Sequence, residues 1–461
     1  MKLWDFVIKK MKAHSDQTVT EEGVTLTYDE LIESAGKFSA LLRGEECCAI
    51  YCNSEFNASI ALLACFCAGI TAVPLSYKYG DAHCKKILDL VSPSCIISDK
   101  DGELTVTKFT NHGYVSPKEH PALIMCTSGT TGVPKGAMLS EDNIISNVTD
   151  IAAYFGINDS DRILICRPLY HCAVLTGEFL VSLIKGVKIE FYSKPFNPIE
   201  IIKHCRSKKI TVLCATPTFF GMILRCMRSE QSIKLAHIVI SGECMDDDIG
   251  REILKGFKGA KIYHVYGLTE ACPRVSYMPP ESFYEHPGCV GIPLDSVEIK
   301  ILDENGFCVN NGARGMLWVK GKNVMIGYYN AETETAKVLH QGWLCTGDIS
   351  SIIDNKWLKI HGRADDMIIL SGMNIYPSEI ETEMKKDKRT KEVLVYALND
   401  LKFGVRIAMD ICGDFSDKTE VLKLCKQRLS DYQVPTVINL VESLEKNGSG
   451  KIIRKKTARS I

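Results

Sequence analysis

The chain has 461 residues, of which 46% are hydrophobic and 24% are charged, so it can bury a large core and should divide into two or more domains. Its formal net charge is −1, which gives no electrostatic case for a nucleic-acid partner or for binding to an anionic membrane. Twenty cysteines occur without a Cys-x-x-Cys pair, so a structural zinc site is not expected, and neighbours such as Cys47 and Cys48 are interpreted as small buried apolar residues.

The first residues, Met1–Phe6, carry an acid where the apolar region of a signal peptide would begin. The uncharged stretch from Asn57 to Tyr77 is long enough, at 21 residues, to raise the question of a membrane span. Gly69 instead divides it into a buried helix, Ala58–Ala68, and a short strand, Ile70–Val73. We therefore expect no integral membrane segment and a cytoplasmic location, where a reducing environment keeps cysteines as thiols.

Apolar strand candidates alternate with helical patterns along the first half of the chain. A helix over Leu31–Leu42 is predicted by Thr27-Tyr-Asp-Glu30, which fits a capping box. Alternation of this kind favours a parallel α/β architecture. The strand candidates are Leu123–Met125, Ile163–Cys166, Val187–Tyr192, Ile210–Cys214 and His237–Ile240.

The most informative segment is Thr127–Gly136, which reads Thr-Ser-Gly-Thr-Thr-Gly-Val-Pro-Lys-Gly and follows the strand candidate Leu123–Met125. Its glycines let backbone N–H groups approach phosphate oxygens closely, while its hydroxyl side chains and Lys135 add donors and a positive charge. The pattern is not the common nucleotide-binding loop, which requires Ser or Thr at the position of Gly136. On its own, such a cluster has a solvent-exposed turn as its alternative interpretation. The motifs downstream favour a polyphosphate site.

Further motifs follow the loop in the order and rough spacing of one known family. They are Tyr266-Gly-Leu-Thr-Glu270, Thr346-Gly-Asp348, Gly362-Arg-Ala-Asp-Asp366 with Gly372-Met-Asn-Ile-Tyr-Pro377, and Gly448-Ser-Gly-Lys451. With these motifs the chain resembles the adenylate-forming enzymes, which include acyl- and aryl-CoA ligases, adenylation domains of nonribosomal peptide synthetases and firefly-type luciferases. The match runs from about Thr27 to Arg454, and the string from Gly362 to Glu381 looks especially like benzoate-type CoA ligases.

The resemblance implies an α/β fold with two domains. The large N-terminal domain, residues 1–364, would combine parallel α/β subdomains with a β-rich part and would bind ATP and the acid. The small C-terminal domain, residues 365–461, would be a mobile α+β unit that carries a catalytic lysine. Asp365 stands where relatives have the hinge between the domains, although without the resemblance it would be interpreted as a solvated loop charge.

The resemblance also implies a site for ATP and Mg²⁺. Glu270 would bind magnesium together with Thr130, because a hard carboxylate suits a hard cation. The implied nucleotide contacts are Tyr266 and Gly267 at the adenine, Thr269 at the α-phosphate, Asp348 at both ribose hydroxyls, and Arg363 at the ribose or a phosphate. The implied β- and γ-phosphate contacts are Thr127, Ser128, Gly129, Thr131, Gly132 and Lys135. Taken alone, the tyrosine motif would be a turn followed by a helix N-cap.

Gly448-Ser-Gly-Lys451 imitates the end of a phosphate-binding loop, but Glu445 stands where the first glycine is required and Ile452 where Ser or Thr is required. The resemblance instead makes Lys451 the catalytic lysine, which bridges the substrate carboxylate and the α-phosphate during adenylation. A basic solvated tail is the alternative interpretation. With Lys451, the implied catalytic residues are Thr130, Glu270 and His171.

The segment Pro168-Leu-Tyr-His171 precedes a helix that Gly186 should end, and it resembles acyl- and aryl-CoA ligases more than peptide-synthetase domains. In those domains an aspartate tends to stand at the place of His171 and pairs with the substrate ammonium, which is costly to bury alone. We therefore expect an acid with no charge beyond its carboxylate, with aryl acids first. Glu178 is the opposing signal, because it lies seven residues after His171 and could face an amine. The candidate pocket walls, each equally compatible with ordinary core, are His171, Cys172, Phe219 or Phe220, Ser241, Gly242, Glu243, His264 and Val265.

Three functions remain open from the sequence. The first is an acid:CoA ligase, which adenylates an aryl or medium acyl acid and passes it to the CoA thiol. The second is a stand-alone ligase that loads the phosphopantetheine of a carrier protein in trans, since no carrier segment follows Lys451. The third is a luciferase-type oxidoreductase or an inactive binding relative. Lys451 and the complete set of ATP motifs argue against an inactive relative, and no feature of the sequence positively supports oxygen chemistry.

Overall fold

The structure is a computed structural model that describes residues 1–75, 81–127, 134–227, 232–245, 247–370, 373–400, 404–446 and 452–454. The chain divides into two compact units. The larger unit comprises Met1–Glu243, Arg251–Lys300 and Trp318–Thr346, and the smaller unit comprises Cys244–Gly250, Ile301–Leu317 and Gly347–Ile461. The domain boundary expected between residues 364 and 365 stays a prediction.

The helices vary widely in length. A π-helical segment, Leu175–Leu180, joins two of them, and short 3-10 helices include Thr269–Ala271 and Ala364–Asp366. In chain order the α-helices of the described residues are α1 (Leu3–Met11), α2 (Tyr28–Ser39), α3 (Glu55–Ala68), α4 (Asp81–Val91), α5 (Glu141–Tyr154), α6 (Cys172–Val174), α7 (Val181–Lys185), α8 (Pro198–Ser207), α9 (Pro217–Cys226), α10 (Asp247–Gly256), α11 (Pro280–Phe283), α12 (Glu332–Val338), α13 (Pro377–Lys385) and α14 (Lys418–Arg428).

The strands are mostly short, with three long ones in the last third of the chain. In chain order the strands of the described residues are β1 (Thr18–Glu21), β2 (Val24–Thr27), β3 (Cys47–Tyr51), β4 (Thr71–Pro74), β5 (Cys95–Lys100), β6 (Glu103–Lys108), β7 (Leu123–Thr127), β8 (Lys135–Leu139), β9 (Arg162–Ile165), β10 (Lys188–Phe191), β11 (Val212–Ala215), β12 (His237–Ile240), β13 (Lys261–Gly267), β14 (Arg274–Tyr277), β15 (Ile292–Pro293), β16 (Val297–Leu302), β17 (Gly315–Gly321), β18 (Gly327–Tyr328), β19 (Leu339–His340), β20 (Trp343–Ile353), β21 (Trp357–Arg363), β22 (Ile368–Leu370), β23 (Met373–Ile375), β24 (Thr390–Asp400), β25 (Gly404–Gly413) and β26 (Val437–Leu440).

A nine-stranded sheet in the larger unit has the order β15-β14-β13-β12-β11-β9-β10-β1-β2. The strands from β13 to β1 in this order are parallel, and the strands at both ends pair antiparallel. Every residue of β11 and β12 is buried, as expected for parallel strands that are covered on both faces. Because β9, β11, β12 and β13 are parallel neighbours, the segments that follow their carboxyl ends meet at one edge of the sheet.

A seven-stranded sheet in the same unit has the order β18-β8-β7-β4-β3-β5-β6. Its strands β7 and β8 form an antiparallel pair that places Thr127 opposite Lys135, so the predicted phosphate loop connects two paired strands. Strand β18 pairs with β8 and places Tyr328 opposite Ala137. Residues from a distant part of the chain thereby reach the start of β8.

The strand and helix predictions in the larger unit are confirmed. Each strand candidate falls on an observed strand, with bounds that differ by at most two residues. The capping box is present: Thr27 Oγ1 accepts a hydrogen bond from Glu30 N at 3.2 Å, and Glu30 Oε2 accepts one from Thr27 N at 2.7 Å. Continuous apolar runs and local side-chain caps are encoded by neighbouring residues, which explains why the sequence reveals them.

The uncharged stretch after Asn57 is a buried helix and a strand, as predicted. Helix α3 ends at Ala68, Gly69 adopts a left-handed conformation with φ of 70°, and β4 follows from Thr71. No helix in the described part of the chain has both the length and the apolar character needed to cross a membrane. Cys47 and Cys48 are buried in β3, as expected for small apolar residues.

The smaller unit has an α+β core. Strands β24 and β25 pair antiparallel, and β26 pairs parallel with β25. Helices α13 and α14 contribute buried residues, such as Ile380 and Leu424, to one cluster with Val395 and Met409 of this sheet. The predicted fold class, an α/β protein with parallel sheets and a β-containing C-terminal part, is confirmed.

Candidate active site

The side chain of Lys135 lies at the start of β8, where the hairpin returns from the predicted phosphate loop. Its Nζ is 2.6 Å from Oε2 of Glu334 and 5.2 Å from the ring centroid of Tyr328. Thr127 Oγ1, at the end of β7, donates a hydrogen bond to the Lys135 carbonyl at 3.4 Å. A lysine ammonium therefore stands at the foot of the loop. The other residues assigned to this loop, which lie outside the described residues, are Ser128, Gly129, Thr130, Thr131 and Gly132.

The motif Tyr266–Glu270 begins at the end of β13 and runs into the 3-10 helix. Gly267 allows a close approach of two backbone segments, because a Cβ there would lie 2.1 Å from the carbonyl oxygen of Pro273. The same carbonyl accepts a hydrogen bond from Leu268 N at 2.8 Å. Any side chain at Gly267 would push these segments apart, so this glycine has a packing role in addition to the predicted nucleotide contact.

Glu270 is held by neighbours from a distant part of the chain. Its Oε1 accepts a hydrogen bond from the Tyr328 hydroxyl at 2.8 Å, and its backbone carbonyl accepts one from Met325 N at 2.9 Å. The ammonium of Lys135 lies over the ring of Tyr328, so one tyrosine connects the predicted phosphate-binding lysine with the predicted magnesium carboxylate. Sequence reasoning missed Tyr328, because the connection depends on the pairing of β18 with β8.

The two residues assigned to the ribose are neighbours within the smaller unit. Asp348 of β20 and Arg363 of β21 are directly opposite each other, and Arg363 Nη1 is 3.4 Å from Asp348 Oδ1. Gly347 has φ of 74°, and a Cβ there would lie 2.7 Å from Arg363 Nη2. A glycine before Asp348 thus provides both the left-handed backbone and the space for the guanidinium.

The predicted hinge and the predicted catalytic lysine also belong to the smaller unit. Asp365 is exposed, in the middle of its 3-10 helix. Lys451 lies outside the described residues, but Arg454, three residues later, forms an ion pair with Glu381 and places its Nε 3.7 Å from Asp366 Oδ2. Arg454, close in the chain to the predicted catalytic lysine, is therefore anchored beside the predicted hinge.

Several predicted acid-pocket residues gather at the carboxyl edge of the nine-stranded sheet. Ser241 and Gly242 follow β12, and Ser241 N donates a hydrogen bond to the Ala215 carbonyl at the end of β11 at 3.0 Å. Val265 is buried in the next strand, β13. His171 is the N-cap of α6, in the segment that follows β9. The strand order brings these residues to one edge of the sheet.

The remaining wall candidates have protein contacts of their own. Cys172 is buried at the first position of α6. The ring of Phe219 packs against Phe196, with a centroid distance of 4.8 Å. Glu243 Oε2 accepts a hydrogen bond from the Thr218 hydroxyl at 2.6 Å. Phe219 and Thr218 lie on α9, the helix that follows β11, so this group flanks the same edge of the sheet.

His264 is a fully buried histidine with a backbone partner. Its side chain is 2% exposed, and its Nδ1 is 2.8 Å from the Cys289 carbonyl oxygen. Burial lowers the pKa of His264 to about 4, because the charged imidazolium would lose its hydration. The imidazole is therefore neutral at physiological pH, and a neutral ring that donates to a carbonyl fits a core role as well as a pocket wall.

We expect acidification to destabilise the protein through His264. The pKa of this group is about 4 in the folded protein against 6.5 in the unfolded chain, so the unfolded chain binds more protons between these values and stability falls as the pH is lowered. Between about pH 7 and pH 5 the loss should be about 2 kcal/mol. Urea unfolding at both pH values measures it. The His264→Gln variant has no imidazole to protonate, so its stability should lack this part of the pH dependence. If the variant shows the same pH dependence as the unaltered protein, the lowered pKa of His264 is contradicted.

Glu178 already has a cationic partner. It is 2% exposed, lies in the π-helical segment and forms an ion pair with Arg167, the residue before Pro168. Burial raises the pKa of Glu178, and the guanidinium groups of Arg167 and Arg274 oppose this rise. The seven-residue spacing from His171 assumed a regular α-helix, and the wider π-helical turns change the direction of the side chain. Sequence reasoning missed the pairing of Arg167 with Glu178. The only sign of it in the sequence is that an arginine stands close to this acid in the chain.

The site combines the ammonium of Lys135, the hydrogen-bonded carboxylate of Glu270 and the turn at Gly267, which follows the end of a strand. These are groups expected in an enzyme that uses a nucleotide. The chain belongs to the AMP-binding enzyme family, whose model matches residues 8–329. The resemblance to adenylate-forming enzymes is thereby confirmed.

Individual relatives cover nearly the whole chain. A feruloyl-CoA synthase of Amycolatopsis sp is 28% identical over 98% of this chain and 97% of its own. A 2-succinylbenzoate–CoA ligase of Bacillus pumilus (strain SAFR-032) is 30% identical over 95% of both chains. An o-succinylbenzoate CoA synthetase from Bacillus subtilis, solved with the acyl-adenylate intermediate OSB-AMP, is 25% identical with a TM-score of 0.86, over 98% of this chain and 97% of its own. Its structure with ATP and a magnesium ion gives a TM-score of 0.84 at 25% identity, over 98% of both chains.

Proposed function

We propose that the protein is an AMP-forming acid–thiol ligase, which activates a carboxylic acid with ATP as an acyl-adenylate, releases pyrophosphate and transfers the acyl group to the CoA thiol. Family membership and the likeness to a synthetase solved with an acyl-adenylate support this class. The observation that carries the proposal is the arrangement of Lys135, Tyr328 and Glu270, which places a cation and a carboxylate at the foot of the predicted phosphate loop.

Glu270 is the proposed magnesium ligand. Its carboxylate is a hard oxygen donor of the kind Mg²⁺ prefers, and the hydrogen bond from Tyr328 fixes its orientation, so the residues fit the ion. With ATP bound, Mg²⁺ would neutralise charge on the phosphate oxygens as pyrophosphate leaves. Thr130 is the second proposed ligand.

The remaining ATP contacts are proposed from the motifs. Lys135, with Thr127, would bind the β- and γ-phosphates, because its ammonium lies at the end of the loop. Asp348 would accept both ribose hydroxyls, since a carboxylate offers two acceptor oxygens. The other proposed contacts are Tyr266 and Gly267 at the adenine, Thr269 at the α-phosphate, Arg363 at the ribose or a phosphate, and Ser128, Gly129, Thr131 and Gly132 at the phosphates.

The two half-reactions need different groups at the same face of the adenylate. Lys451 would stabilise charge between the carboxylate and the α-phosphate during adenylation, and the acyl-accepting thiol would occupy this face afterwards. We therefore propose that the C-terminal domain turns about Asp365 between the two steps. The exposed position of Asp365 in a short helix is compatible with such a role.

We place the acid at the carboxyl edge of the nine-stranded sheet, where His171 stands in the segment that follows β9. Val265 and Cys172 contribute apolar side chains there, which suits an acid without a second charge. The ion pair of Glu178 with Arg167 removes the main argument for a substrate amine, because the carboxylate is already neutralised. The further proposed wall residues are Phe219, Ser241, Gly242, Glu243 and His264.

ATP–pyrophosphate exchange over a panel of acids tests the substrate class. We expect benzoates or cinnamates to exchange faster than medium-chain fatty acids and the α-amino acids, because a planar ring buries a large apolar area with little loss of conformational entropy. Aryl acids should exceed each α-amino acid by about tenfold or more. Faster exchange with an α-amino acid than with every aryl acid would contradict the proposed class.

CoA is the proposed thiol, because the relatives described above are CoA ligases and synthetases by name. Thioester formation with CoA alone tests it. Exchange without any CoA thioester would point instead to the phosphopantetheine of a carrier protein. The proposed location is the cytoplasm, since all twenty cysteines are free thiols and a reducing compartment preserves them.

A further inference from the structure

Lys135 has an anionic partner within the protein. Its ammonium is 2.6 Å from Oε2 of Glu334, near the start of α12, while Oε1 of Glu334 pairs with Lys337 on the next turn. Hydrogen bonds from these two ammonium groups lower the pKa of Glu334 to about 2, so the carboxylate is ionised at neutral pH. Lys135, the lysine assigned to the ATP phosphates, is thus already paired with a carboxylate, and this carboxylate would compete with the phosphates for the ammonium.

The frame around this ion pair is well anchored. Tyr328, over whose ring Lys135 lies, is 8% exposed and paired with β8. Tyr328 N donates a hydrogen bond to Thr335 Oγ1 at 2.8 Å, so β18 is tied to the first turns of α12. Because Glu334 directly precedes Thr335, its carboxylate is held within reach of Lys135.

A phosphate that binds Lys135 must replace Glu334 as its partner. This exchange leaves Glu334 with a second cation, because Lys337 remains three residues away on the same helix. The carboxylate is also partly exposed and can regain water. At the lysine, the ring of Tyr328 remains as a favourable contact throughout the exchange. Both partners therefore stay satisfied, which makes the exchange reversible.

We propose that Glu334 is an internal counter-ion of Lys135 that competes with the ATP phosphates and so sets the affinity of the site for ATP. The inference rests on the function proposed above, in which Lys135 binds the β- and γ-phosphates. Glu334 is an affinity-determining residue that touches no substrate. The same competition acts when pyrophosphate leaves, because Glu334 recaptures Lys135 and lowers the retention of the product.

Isothermal titration calorimetry of the full chain with MgATP and with AMP tests the proposal. Glu334→Gln should bind MgATP about three- to fivefold more tightly, because the competing charge of a partly exposed carboxylate is removed. AMP lacks the β- and γ-phosphates, so its affinity should change by less than about twofold in the same variant. Glu332→Gln is the matched control: it removes the same charge from an exposed position on α12 and should leave both affinities unchanged.

Glu334→Ala should reproduce the gain, and melting temperatures of both variants identify a folding defect in either one. MgATP affinity that is unchanged or weaker in a folded variant overturns the proposal, as does an equal gain for AMP. Failure of the proposed function has a different signature, because the unaltered protein would then bind neither MgATP nor AMP.

Discussion

Glu178→Gln should destabilise the protein by about 3 kcal/mol, because it leaves the guanidinium of Arg167, whose side chain is only 21% exposed, without its anionic partner. The carboxylate is 2% exposed, and Arg274, which is 4% exposed, adds a second positive charge nearby. Water can compensate the unpaired guanidinium only in part, because most of the Arg167 side chain is covered. Urea unfolding of the two proteins at neutral pH measures the change in the free energy of unfolding.

Two further variants separate the ion pair from a general effect of the substitution. Glu200→Gln makes the same change on α8, where the side chain is exposed and pairs with Lys203, and it should cost less than about 0.5 kcal/mol. Arg167→Met combined with Glu178→Leu removes both charges and should be more stable than Glu178→Gln alone. Additive effects of the single Arg167 and Glu178 substitutions in a double-mutant cycle would show that the pair is not coupled.

Features encoded by neighbouring residues were predictable from the sequence. The strand His237–Ile240 has the predicted bounds and is apolar after its first residue, since a parallel strand buried on both faces needs no polar alternation. The cap of α2 at Thr27 and the left-handed Gly69 after α3 likewise depend on a few adjacent residues. The parallel architecture was predicted, but the strand order that places Ser241 and Val265 at one sheet edge is known only from the structure.

Pairings across long separations could not be predicted. Lys135 and Glu334 are 199 residues apart, and their contact requires β18 to pair with β8. The π-helical segment around Glu178 is also invisible to a periodicity argument, because its wider turns are stabilised by packing and by the Arg167 pair. The roles proposed for individual residues of the ATP site stay predictions, which variants of those residues must test.

Lys451→Ala should slow adenylation by about 3 kcal/mol or more, which is roughly a hundredfold in rate. The proposed lysine stabilises charge that develops between the acid carboxylate and the α-phosphate, and no neutral side chain can replace it there. ATP–pyrophosphate exchange with the best acid of the panel measures this step. Thioester formation from supplied acyl-adenylate and CoA measures the second step, which should be retained because the thiol attacks without help from this ammonium.

Lys423→Ala is the matched control, since it removes the same charge from an exposed position on α14 of the same unit, outside every proposed site motif. Both half-reactions should stay within about twofold of the unaltered protein in this variant. Comparison of the two variants separates the effect of losing the ammonium of Lys451 from the general effect of losing one positive charge. Equal loss of both half-reactions in Lys451→Ala would contradict the proposed role, because a residue that acts only at the adenylation transition state cannot slow the transfer of an acyl group that is already activated.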